Sequence, residues 1–138
     1  MEPVFEEYME LPRRERIARA KQCASNIYNY SLEQGLTEEQ SIDMLCHLTK
    51  LFVSVDRVCE QGEYDLFVSV TGADMTYDEF FELTNGGGNK DYVDAVLEVV
   101  KTMDEDLKGD VAMFGLCMCS ADGDVTEAER MMIFRTLD

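Results

Sequence analysis

The residues Ala121-Asp122-Gly123-Asp124-Val125-Thr126-Glu127-Ala128-Glu129-Arg130 join two apolar, helix-spaced runs through a tight turn that carries four carboxylates. A looser copy, Val55-Asp56-Arg57-Val58-Cys59-Glu60-Gln61-Gly62-Glu63-Tyr64, stands earlier in the chain. Moving the first half by 66 positions places Asp56 on Asp122 and Glu63 on Glu129. The same shift puts Leu45, Leu48, Phe52 and Val55 on Val111, Phe114, Met118 and Ala121, and Leu66 and Phe67 on Met132 and Ile133. Polar and apolar positions agree on both sides of the turn, which predicts two copies of one three-helix unit. Each unit has an apolar stripe that it cannot bury alone. The two are therefore expected to pack together about a pseudo-twofold axis, with residues 38–56 and 107–120 as the most buried elements.

Outward from the turns, the pattern is helical throughout. Residues 1–11 read as an arm or a short first turn, with Val4, Phe5, Tyr8 and Leu11 able to pack. Pro12 suits a helix opening, where its missing N–H is no loss. Ile17, Ala20, Ala24, Ile27, Tyr28 and Leu32 then recur at three-and-four spacing up to Gly35, a C-terminal cap. Thr37-Glu38-Glu39-Gln40 is a capping box, in which side chains at the first and fourth positions satisfy each other's backbone donors. It opens a helix (Ile42, Leu45, Cys46, Leu48, Phe52) that is apolar almost all round and hence central. A helix from about Glu60 to Val70 ends at Thr71-Gly72, and Thr76-Tyr77-Asp78-Glu79 opens a short one through Phe80, Phe81 and Leu83. Asn85-Gly86-Gly87-Gly88-Asn89 is a linker between halves 12–71 and 89–138; with no preceding strand and no following Gly-Lys-Ser/Thr, it is no phosphate cradle. Tyr92, Val93, Val96, Leu97, Val100 and Met103 mark the next helix, and Leu107 to Met118 the one after, where Gly109 and Gly115 are expected to allow close helix contact. Thr126-Glu127-Ala128-Glu129 is a third capping box. No stretch reads as a strand. The fold class is all-α: one domain over 1–138, a compact bundle of about seven helices in two pseudo-symmetric three-helix halves.

Charge narrows the partners. The chain has 12 basic and 29 acidic residues, a net charge of −17. Arg13, Arg14, Arg16, Arg19 and Lys21 offset the five Glu of residues 1–21, so the excess lies beyond them. Such a field repels nucleic-acid phosphate and anionic lipid, and attracts divalent cations or a basic protein surface. The Arg13–Lys21 cluster reads as a solvated helix face. No run of about 18 apolar residues is present, so no membrane insertion is expected. The acidic start Met1-Glu2-Pro3-Val4-Phe5-Glu6-Glu7 does not resemble a secretory signal, and a cytoplasmic location is the default. Five Cys (23, 46, 59, 117, 119), an odd number without framework spacing, read as small buried hydrophobes.

The 122–129 turn supports two readings. In the structural one, Gly123 supplies a positive φ, Thr126 caps the last helix, and Glu127 and Glu129 complement its dipole. In the other, Asp122, Asp124 and Glu129 supply hard oxygens for Ca2+ or Mg2+. Their spacing matches positions 5, 7 and 12 of an EF-hand loop, with Gly123 at position 6. Positions 1 and 3 would be Met118 and Ser120, which excludes a complete EF-hand and predicts that this part stays helical. Asp56 and Glu63 of the first half could complete the shell. Cys117 and Cys119, two apart on a helix, point about 200° from each other and cannot chelate one ion. Cys46 and His47, adjacent on a helix, face different ways, and His47 reads as solvated or paired locally with Asp43.

A buried helix ending Ala121-Asp122-Gly123, with Glu129 opening the next helix, resembles the tellurite-resistance TerB-like family. The resemblance covers most of residues 12–138. Asp56 and Glu63 match the first-half counterpart, while Arg57 stands where Gly is usual and Cys59 is atypical. It implies a compact two-half helical domain, a role in tellurite resistance or stress response, and metal binding at acidic residues, without an established enzymatic activity. The expected function is thus a non-enzymatic binding or adaptor domain with a divalent cation at the acidic turn. The alternatives are a thiol- or metal-dependent enzyme acting on a small oxyanion, and a structural interaction domain for a basic partner.

Overall fold

A computed structural model describes residues 6–8, 10–53, 61–84, 90–120 and 126–137. These residues are all-helical, with no strand among them. After a helical turn at 6–8 come α1 (Arg13–Glu33), α2 (Glu38–Val53), α3 (Gln61–Thr71), α4 (Tyr77–Thr84), α5 (Lys90–Lys101), α6 (Glu105–Cys119) and α7 (Glu127–Leu137). Val4, Phe5, Val55, Asp56, Cys59, the 85–89 linker, the 121–125 turn and the side chains of Tyr92 and Val93 lie outside the described residues.

Local chemistry sets the helix ends. All three capping boxes form. The Thr37 N–H donates to Gln40 Oε1 (2.9 Å) and the Gln40 N–H to Thr37 Oγ1 (3.1 Å). Thr76 and Glu79 make the same exchange at 3.0 and 3.2 Å, and Thr126 and Glu129 at 2.9 and 3.2 Å. A fourth cap is Asp104, whose carboxylate accepts from the Leu107 N–H (2.8 Å), so α6 begins two residues before the apolar run. At the end of α1, Gly35 takes φ +93°. Its N–H reaches the Leu32 carbonyl while the Leu36 N–H reaches the Ser31 carbonyl, a paired closure that a left-handed residue makes possible. Pro12 is the N-cap of α1 rather than its first helical residue, so the helix opens one position later than expected, and the Pro12 carbonyl accepts from the Glu15 and Arg16 N–H groups.

The core is built on α6. It packs against α1, α7, α2 and α3, and every residue from Val111 to Ser120 except Met113 is buried. Helix α2 packs on α6 and also on α1 and α4, and buries Leu45, Cys46, Leu48, Leu51 and Phe52. The crossing depends on Gly115: a Cβ there would lie 2.5 Å from Cδ2 of Phe52 and 2.8 Å from its Cγ. Gly109 makes no such contact, since nothing lies within 4 Å of the equivalent position. It faces away from the crossing, so the expectation of close approach holds for one glycine only. On α1 the buried stripe is Ala20, Cys23, Ala24, Ile27 and Ser31. Leu32, expected inside, is exposed; Ser31 takes the inward position and its hydroxyl donates to the Ile27 carbonyl (3.0 Å). Tyr8 brings the arm onto this core: it is fully buried and its hydroxyl donates to the Arg16 carbonyl (2.8 Å).

Two further facts bear on the repeat. The bounds of α3 moved by 66 positions coincide with those of α7, and those of α2 fall within one residue of α6 at its start and on it at its end. The described pairs Leu45/Val111, Leu48/Phe114, Phe52/Met118, Glu63/Glu129, Leu66/Met132 and Phe67/Ile133 are buried in both members.

Candidate functional site

Of the five acidic residues expected to bind a cation, Asp56, Asp122 and Asp124 lie outside the described residues. Glu63 and Glu129 are described, each in the first turn of its helix, at 2% and 0% exposure. A buried carboxylate needs hydrogen-bond partners, and Glu129 has one in the Thr126 N–H. Helix α3, carrying Glu63, packs on α1, α4 and α6; α7, carrying Glu129, packs on α6, α2 and α5. Among the described residues no group of three His, Cys, Asp or Glu is placed to hold a metal ion. Helix α6 runs to Cys119 with Ser120 as its cap, so Met118, where an EF-hand loop would open, is helical as expected, and Ser120 closes the helix.

The described thiols Cys23, Cys46, Cys117 and Cys119 are all buried, in line with a packing role. Burial, with Asp110 beside it, pushes the Cys23 thiol up to about 12. Burial raises Cys117 too, against the smaller opposing effect of its hydrogen bond with Tyr8. Both are poor sources of thiolate at neutral pH, which counts against them as nucleophiles. His47 is half-buried, and burial lowers its pKa despite the Asp43 carboxylate one turn earlier.

Among the described residues a cleft of about 620 Å3 lies elsewhere, between α2, the 73–75 segment and α4. Its walls follow from helical spacing. Glu39, Ile42 and Asp43 are i, i+3 and i+4 on α2, and Glu79, Glu82 and Leu83 have the same spacing on α4. Ala73, Asp74 and Met75 close one end. Five carboxylates thus line the cleft around the apolar side chains of Ile42, Ala73, Met75 and Leu83, and among the described residues no cation lines it. The scaffold behind it is braced. The Tyr64 hydroxyl donates to the Met75 carbonyl (2.6 Å), and the Tyr64 ring meets Tyr77 and Phe80 edge-on at 5.6 and 5.7 Å. The Cys46 sulfur lies 3.9 Å from that of Met75. Glu79 is oriented by its capping box, whose hydrogen bonds from Thr76 hold its carboxyl below the usual range.

In the sequence these carboxylates fall in separate stretches, 39–43 and 74–82; that they line one cleft depends on how α2 and α4 pack. A shallower hollow of about 320 Å3 between α1 and α6 is also acidic, lined by Glu33, Asp104, Asp106 and Asp110, and there Asn26 donates to Asp110 (3.0 Å). Among the described residues no helix is long and apolar enough to cross a membrane. Comparison with protein-family models, curated proteins and solved structures gave no significant match.

Proposed function

We propose that this chain is a non-enzymatic binding or adaptor domain, built from two related halves in the manner of the TerB-like family, that engages basic surfaces of partner proteins. The observation that carries it is the braced α2–α4 cleft, lined by five carboxylates and, among the described residues, by no cation. Its field extends that of a chain with 29 acidic and 12 basic residues. The coincident bounds of α3 and α7 and the matched burial of six residue pairs support the two-half design, as does a reciprocal contact: α3 packs on α6 and α7 on α2. The test is binding of fluorescent polylysine, followed by anisotropy as salt is raised. Capture at low salt that fades as the Debye length shrinks from about 10 Å at 0.1 M to about 3 Å at 1 M is the expected result. No capture at low salt refutes the proposal.

A Ca2+ or Mg2+ ion at the 122–129 turn is a second element of the proposal. It is favoured by one observation: Glu63 and Glu129, related by the 66-residue shift, are both buried carboxylates at helix starts. Asp122, Asp124 and Glu129 would supply the oxygens, with Asp56 and Glu63 forming the first-half counterpart. Calorimetric titration should show saturable uptake that Glu129→Gln, which keeps an acceptor for the Thr126 N–H, and Asp122→Asn both weaken. Unchanged heats in the two variants, or none up to millimolar ion, remove the cation. A role in tellurite resistance or stress response, and a cytoplasmic location, accompany the TerB-like proposal. Deletion in the source organism with scoring of tellurite tolerance tests the former.

A further inference from the structure

We propose that the α2–α4 cleft is the docking groove for a basic peptide segment of a partner protein, one that places an apolar anchor side chain between flanking Lys or Arg residues. This rests on the binding role above and adds where the partner sits and what it must present. The cleft volume of about 620 Å3 is that of a side-chain or small-ligand pocket, not of a flat contact. Ile42, Met75 and Leu83 are partly buried against the core and leave apolar surface inside the cleft. Cations alone would leave that floor wet. An apolar anchor covers it, and a methionine on the floor adapts to anchors of different shape. Each helical wall spans five residues, about 6 Å of axis at 1.5 Å per residue, so the groove takes one anchor with its neighbours rather than a long helix. Charge selects what flanks the anchor. Glu39 and Asp43 stand on one wall, Glu79 and Glu82 on the other, and Asp74 at the end.

Other occupants fit less well. Two copies of a chain with charge −17 repel each other, and nucleic acid or anionic lipid meets the same field. A lone metal ion needs oxygens converging within coordination distance, and no described group of three does so. The bracing of Met75 by Tyr64, and of Tyr64 by two further rings, reduces the ordering that binding must supply.

The probes are two labelled hexapeptides, Lys-Lys-Leu-Leu-Lys-Lys and the same peptide with Gly-Gly in place of Leu-Leu, measured by anisotropy at low salt. The protein is compared with Asp74→Lys/Glu82→Lys and with Glu33→Lys/Asp106→Lys, which changes net charge equally at the α1–α6 hollow. Melting curves confirm that both variants fold, and Glu82→Gln alone provides a milder version of the cleft change. The expected result is a loss of about tenfold or more from the cleft pair and less than about threefold from the remote pair, because close charge pairs couple far more strongly than distant screened ones. The Gly-Gly peptide should bind about tenfold more weakly, the equivalent of one or two buried apolar groups. Equal losses from the two pairs, or equal binding of the two peptides, overturn the groove while leaving a diffuse basic-partner role intact. No binding of either peptide at low salt overturns both.

Discussion

Replacing Gly115 and Gly109 by Ala, each in turn, tests the central helix crossing with an internal control. Both glycines lie in the interior of α6, so both substitutions gain about 1 kcal/mol of helix propensity. That gain cancels when the two variants are compared. At 109 the added methyl meets no atom within 4 Å, and Gly109→Ala should stabilise by about 0.5–1 kcal/mol. At 115 it lands 2.5, 2.6 and 2.8 Å from Cδ2, Cε2 and Cγ of Phe52. Ordinary carbon–carbon contact is at about 3.5–4.0 Å, so roughly 1 Å must be found. The contact involves the root of the ring as well as its edge, and Phe52 is fully buried, so rotating the ring away meets packed neighbours. Overpacking of this kind costs about 1–3 kcal/mol. Gly115→Ala should therefore be less stable than Gly109→Ala by about 1–3 kcal/mol, or about 3–12 °C in Tm for a domain of this size. Urea unfolding followed by circular dichroism measures the difference, provided the slope is unchanged. Phe52→Leu in the Gly115→Ala background should recover part of the loss, as a non-additive cycle between touching residues. Equal stabilisation by both alanines would falsify the close approach of α2 and α6 at this point.

Thr126→Ala removes the acceptor for the Glu129 N–H and should cost about 1 kcal/mol by chemical denaturation, while Thr126→Ser should cost little. His47 has a pKa below its usual 6.5 in the folded chain, mainly through burial, so the unfolded chain binds more protons between the two values. Its contribution is complete above about pH 6.5 and falls as pH drops toward the folded pKa; His47→Gln should flatten that part of the stability profile. Cys23 and Cys117, buried and shifted upward, should resist iodoacetamide at pH 7.5 in the native state and react once the chain is unfolded, as read by peptide mass spectrometry. Labelling of either at the unfolded rate would contradict their place in the core.

What could be read from the sequence was local. Thr37/Gln40, Thr76/Glu79 and Thr126/Glu129 were legible because a capping box is complete within four residues, and Gly35 because a left-handed position follows the last apolar turn. The burial of α6 from Val111 onward was legible because that stretch is apolar around most of its circumference, whereas α2, expected to be apolar almost all round, buries only one side and turns Glu38, Glu39 and Gln40 to solvent. Asp104 was missed as a cap because the apolar run begins only at Leu107. Gly109 and Gly115 look alike in sequence, and only the crossing angle of α2 over α6 separates them. The cleft was out of reach for the same reason: Glu39 and Glu82 come to line one cleft only through tertiary packing. Of the residues expected to bind a cation, Glu63 and Glu129 are described, and the 66-residue shift pairs them as buried residues in the first turns of their helices.

Tyr8 has a practical consequence for where the domain begins. A boundary drawn at Pro12, where the first long helix starts, would cut away a fully buried ring and its bond to the Arg16 carbonyl. The vacated space would be phenol-sized, and losing a large aromatic from a core costs about 3–5 kcal/mol, a large share of what holds a domain of this length together. Anyone trimming the protein for crystallisation or fusion should keep the leading dozen residues.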